Sequence, residues 1–124
     1  MYSAAFQSVF NAWLDRALAE PIASGVIAFS FNLTKPTTIE IIGSASYSDD
    51  DSDWASEEAF RPETEDLTLP APDRSKDWAG VLECAKMAIY GYLERPSPGS
   101  AILKKATGVA VGFIDGDLHK VWPR

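Results

Sequence analysis

A chain of 124 residues, 46% hydrophobic and 23% charged, has the size and composition of one globular domain with a single core. Its one cysteine, Cys84, excludes an internal disulfide framework and any multi-cysteine zinc site, and no apolar run approaches the ~20 residues of a membrane-spanning helix. A net charge of −7 argues against direct contact with nucleic acid or an anionic membrane, since both would repel the chain.

The first residues lack the basic region of a signal peptide and carry Asp15 and Arg16, so a cytoplasmic location is expected. Within them, Phe6, Val9, Phe10, Trp13, Leu14, Ala17 and Leu18 recur at helical spacing. This predicts an amphipathic helix from Ser3, a candidate N-cap, to Ala19, closed by Pro21. Val26 to Leu33 alternates at the period of a half-buried strand, with Ile27, Phe29, Phe31 and Leu33 on one face. A loop at Thr34 to Thr37 leads to a returning strand from Thr38 to Tyr47, where Gly43 marks a bulge or a close backbone approach.

No clean period follows until Arg74. Asp51 or Ser52 can cap a short helix through Phe60, with Glu57 placed to pair with Arg61 four residues on; an irregular arm pinned by Trp54 and Phe60 is the other reading. Leu67 to Leu69 reads as a short edge strand. A second amphipathic helix is predicted over Lys76 to Glu94, capped by Asp73 or Ser75, with Trp78, Val81, Leu82, Ala85, Ala88, Ile89, Tyr92 and Leu93 on one face. Gly91 inside it either admits a strand closely or sits in a fraying end. Pro96 to Gly99 reads as a stop, and Ala101 to Lys105 as one helical turn or a short strand. Asp115-Gly116, between the runs 109–114 and 118–122, predicts a hairpin with a type I′ turn. The expected fold is α+β: a single antiparallel sheet built from two hairpins, with two helices packed on it, in one domain, 1–124.

The charge is concentrated in Tyr47 to Asp66. This segment holds nine carboxylates against one base, Arg61, and the remainder of the chain is almost neutral. Asp49, Asp51 and Asp53 have the spacing of the first calcium ligands of an EF-hand loop, but its sixth and twelfth positions hold Trp54 and Phe60 where the pattern requires Gly and Glu. No metal or other cofactor is therefore expected. His119 and Cys84 read as a surface histidine and a half-buried thiol, and the chain has no GxGxxG, Walker A or GxSxG pattern.

These observations point to a non-catalytic protein-binding module that meets a basic protein through Asp49, Asp50, Asp51, Asp53, Trp54, Glu57, Glu58 and Phe60. Trp54 and Phe60 serve either as interface anchors or as pins that hold the arm to the domain. The alternatives are a solvated loop, a divalent-cation-dependent enzyme using the arm as its metal site, and an adaptor that oligomerises through a sheet edge.

Two segments, Asp49-Asp-Asp-Ser-Asp-Trp-Ala-Ser-Glu-Glu-Ala-Phe60 and Val109-Ala-Val-Gly-Phe-Ile-Asp-Gly-Asp117, resemble parts of small bacterial proteins that include immunity proteins of contact-dependent and other polymorphic toxin systems. The resemblance implies a cytoplasmic inhibitor without catalytic residues, whose partner is a cognate toxin, in many such systems a basic nuclease.

Overall fold

A computed structural model describes residues 3–34, 38–69, 78–114 and 116–123, with Trp78 described by its backbone alone. Helix α1 runs Ala4–Ala19, and Ser3 caps it by accepting the Phe6 N–H at 3.1 Å. Of its predicted stripe, Phe6, Phe10, Trp13, Leu14, Ala17 and Leu18 are buried, whereas Val9 is 53% exposed. Strands β1 (Ala28–Thr34) and β2 (Thr38–Ser44) form the first hairpin, with Thr34 opposite Thr38; the loop between them, 35–37, lies outside the described residues. The second strand stops at Ser44 rather than Tyr47, because the chain there leaves the sheet plane to become the arm.

After the arm, strand β3 is only Leu67–Thr68, and helix α2 runs Trp78–Glu94. The expected caps Asp73 and Ser75 lie outside the described residues. Pro96 to Gly99 does not stop the helical region but restarts it: α3 spans Pro98–Lys105. Ser97 and Ser100 form a reciprocal capping box, and Pro98 occupies the first turn, where its missing N–H costs nothing. Strands β4 (Gly108–Phe113) and β5 (His119–Trp122) complete the fold.

The five strands make one mixed sheet in the order β3-β2-β1-β4-β5, which corrects the expectation of a purely antiparallel one. The two hairpins join through their first strands, and β1 runs parallel to β4. Both of these central strands are buried almost throughout, as a parallel pair covered on both faces must be. Among the described residues three α-helices, not two, belong to the fold.

On the helix side, Phe29, Phe31, Leu33, Ile39, Ile41, Val109, Val111 and Val121 meet the helical stripes in the main core. Phe10 is its hub, with ring centroids 5.5 Å from Trp13, 6.2 Å from Phe31 and 6.4 Å from Tyr92. The Tyr92 hydroxyl donates to Asp15 at 2.7 Å, so the core's buried phenol stays hydrogen-bonded. Gly91 admits the Gln7 side chain of α1 rather than a strand: a Cβ there would lie 2.5 Å from Gln7 Oε1. Cys84 is buried, which pushes its thiol up from the usual range.

The β4–β5 pairing exists, and the Gly116 N–H bonds the Phe113 carbonyl at 2.9 Å; the type I′ turn expected at Asp115-Gly116 includes Asp115, which lies outside the described residues. The connection is longer than two residues because Leu118 turns down onto the sheet face opposite the helices before β5 begins at His119.

Candidate functional site

That opposite face is where the arm lies. In the central pair it is lined by small residues, Ala28, Ser30, Gly108, Ala110 and Gly112, with Ala28 opposite Gly108 and Ser30 opposite Ala110. The spaces left by those missing side chains are filled from outside. A Cβ on Gly108 would lie 2.2 Å from the Tyr47 ring, and one on Gly112 would lie 2.4 Å from the Asp117 carbonyl oxygen. Trp54 is 3% exposed and packs on Ala28 and Ala110, with its ring 5.0 Å from that of Tyr47. It sits in a short 3-10 helix, Ser52–Ser56, whose N-cap is Asp51, accepting the Asp53 N–H at 2.9 Å. Of the two readings of this stretch, the short helix is right at its start, but it ends before Phe60.

The arm then returns to the edge of the sheet. Gly43 and Phe60 form an isolated antiparallel bridge, with the Gly43 N–H donating to the Phe60 carbonyl at 2.8 Å. Gly43 thus marks a close approach and not a bulge. Phe60 is 7% exposed, edge-on to Phe29 at 6.5 Å, and belongs to the main core. Trp54 and Phe60 are therefore pins: neither offers an exposed aromatic surface to a partner.

Beyond Phe60 the segment is fastened to α1. The Glu20 carboxylate accepts the Glu63 N–H at 2.6 Å, the Thr64 N–H at 2.9 Å and the Thr64 hydroxyl, while the Trp13 indole donates to the Glu65 carbonyl at 2.7 Å. The Thr64 hydroxyl and the two backbone N–H groups hold Glu20 below the usual carboxylate range.

All nine acids of 47–66 are exposed, and the structure divides them by what they already hold. Asp49 accepts from the Tyr47 hydroxyl and pairs with Lys120 Nζ at 3.2 Å, and those two contacts hold it low. Lys120 also lies over the Tyr47 ring, 5.5 Å from its centroid. Arg61 does not pair with Glu57 as the spacing suggests. It forks onto Glu58 at 2.8 and 2.6 Å and reaches Glu40 at 3.2 Å, while Glu57 accepts the Ser46 hydroxyl at 2.8 Å. Hydrogen bonds to Glu58 and then Glu40 push the Arg61 guanidinium up, and the same contact holds Glu58 low. Burial, with Glu40 nearby, pushes the Asp66 carboxyl up. Asp50 and Asp53 hold no side-chain partner among the described residues.

Two depressions flank the 3-10 helix. One, of about 330 Å³, lies between the Tyr47–Ser52 stretch and Asp117–Lys120. The other, of about 390 Å³, lies between the arm and the β4–β5 turn, with Asn32 and Glu40 in its floor. There Ser30 donates to Asn32 at 2.7 Å and Asn32 to Glu40 at 3.2 Å, a polar chain across the sheet.

Among the described residues no three His, Cys, Asp or Glu side chains converge as a metal site would need, and no helix is long and apolar enough to cross a membrane. Nothing in the residue pattern marks Glu20, Trp13, Glu40 or Lys120 as partners of the arm. The available signal was the row of small residues on alternate positions of β1 and β4, the footprint of something packed close. Compared with protein-family models, curated proteins and solved structures, the chain matches none.

Proposed function

We propose that the protein is a non-catalytic binding module that recognises a basic protein through the outer surface of 47–66, in the manner of a toxin-neutralising immunity protein. One observation carries the reading: every carboxylate of the segment is exposed while both of its aromatic pins are buried. A merely solubilising loop has no need of two buried aromatic side chains, a sheet-edge bridge and a carboxylate clamp. Fixed in this way, the charges are displayed with little entropy left to lose on binding, which favours affinity as well as steering.

The polar chain through Asn32, Glu40 and Arg61 supports the display. The two sheet edges give the adaptor reading little support. β3 is two residues long, while β5 is four residues long, irregular in its pairing near Ala110, carries Lys120 and is followed by Pro123. Short strands, a lysine and a proline are how edges are kept from pairing with a second chain.

The test is co-expression with the product of each neighbouring gene. A stable one-to-one complex with a basic product, and relief of that product's toxicity, is the expected result. Failure to bind any basic neighbour, or binding that persists after residues 47–66 are replaced by a neutral loop, would overturn the reading.

A further inference from the structure

We propose that the groove between the arm and the β4–β5 turn is the anchor point for that basic partner, and that it takes a segment in which basic side chains alternate with apolar ones. This rests on the reading of the arm as a surface for a basic protein, and it adds where the contact centres and what else the partner must carry.

The groove has two chemically different walls. On the arm side stand Asp53 and Glu58; on the turn side stand Phe113, Ile114 and Leu118. Ile114 is 62% exposed, the most exposed large apolar side chain among the described residues. A lone exposed isoleucine is ordinary. This one shares its wall with the half-buried Leu118 and faces a row of carboxylates. It is also held in place, since its N–H bonds the Leu33 carbonyl at 3.2 Å and the turn beyond it is closed by Gly116 and Phe113.

Charge selects the occupant. Glu40, Asp53 and Glu58 line the groove against Arg61, which is already shared between Glu58 and Glu40. The lining keeps an excess of negative charge, with the Asp53 carboxylate holding no partner among the described residues, so an entering cation gains where an anion or a second copy's acidic arm would be repelled. An apolar anchor ringed by charge is the arrangement of interface hot spots. A volume of about 390 Å³ suits one or two side chains of a partner, not a whole helix.

The experiment uses two acetylated peptides of equal length and charge, one alternating arginine with leucine and the other arginine with glycine. Affinities are read by calorimetry and contact residues by amide chemical shifts. The arginine–leucine peptide is expected to bind about tenfold more tightly, roughly what burying one aliphatic side chain at an anchor provides, with the largest shifts at Ala55, Ile114 and Gly116. In Ile114→Ser, a change at an exposed site that leaves the fold intact, the ratio should fall to about one while the arginine–glycine affinity stays unchanged. Equal binding of the two peptides, or a ratio that survives Ile114→Ser, would overturn the groove and leave the acidic arm standing. Binding of neither at low salt would overturn the basic-partner reading as well. Self-association abolished by Ile114→Glu would assign the groove to a second copy and overturn the proposal.

Discussion

Replacing Trp54 with alanine removes an indole that is 3% exposed and packs with Tyr47 and Leu118 in the cluster between the arm and the central strands. A buried tryptophan hides roughly 150–250 Å², about two-thirds of it lost on truncation, which at about 25 cal/mol per Å² gives ~3 kcal/mol. Loss of the Tyr47 contact adds about 0.5–1.5 kcal/mol. The arm can lift from its face without opening the helix-side core, so the fall in global stability is capped at the free energy of that opening. The direct readout is therefore local. Amide exchange at Glu57 and Ala59, whose N–H groups bond the Trp54 carbonyl at 3.1 Å and the Gly43 carbonyl at 2.9 Å, should accelerate by about a hundredfold. Asp50→Ala, at an exposed site, should leave both amides and the urea midpoint unchanged to within ~0.5 kcal/mol. Unchanged exchange at Glu57 and Ala59 in Trp54→Ala would refute the role of this residue as a pin.

Two further outcomes follow from the same packing. Gly112→Ala puts a Cβ 2.4 Å from a backbone oxygen of 117, so it should cost about 1–3 kcal/mol by thermal denaturation, whereas Gly25→Ala meets nothing within 4 Å and should not. Glu20 is held below its ordinary value of 4.5, so the folded state binds fewer protons at this site than the unfolded chain. Its clamp is accordingly at full strength above pH 4.5 and is lost as the pH falls through its lowered folded value, and exchange at the Glu63 and Thr64 amides should rise over that range. Glu20→Gln should remove that pH response while leaving exchange at Phe31 in the core unchanged.

Helix α1 was legible from its sequence because a strict 3.6-residue stripe and a serine cap point the same way, and nothing tertiary overrides them. The first hairpin was legible for the same reason at period 2. The parallel pairing of β1 with β4 was not, since it joins strands far apart in the chain and is decided by burial on both faces. Its trace was the continuous run Val109-Ala-Val in place of alternation. Helix α3 was legible only over Ala101 to Lys105, as one of two readings; its start was hidden because Ser97-Pro98 is a helix start as well as a turn signal. The arm's charge and its two candidate pins could be read directly from the residues. Which way the aromatic side chains faced depended on a cleft made by glycines and alanines on two distant strands, and local periodicity carries no information about that.

The most direct test of the central claim is the ionic-strength dependence of association with the basic partner, for the native chain and for a variant with Asp50, Asp53 and Glu57 all changed to lysine. All three side chains are exposed, and the variant gives up only the exposed Ser46–Glu57 hydrogen bond while Trp54 and Phe60 stay in place, so it should fold normally. If the arm is the recognition surface, the native association rate falls steeply as salt rises through the range where the Debye length shrinks from about 30 to 10 Å, while the variant is slow at every salt concentration and shows a flat or inverted slope. Superimposable rate-versus-salt curves for the two proteins would contradict the account.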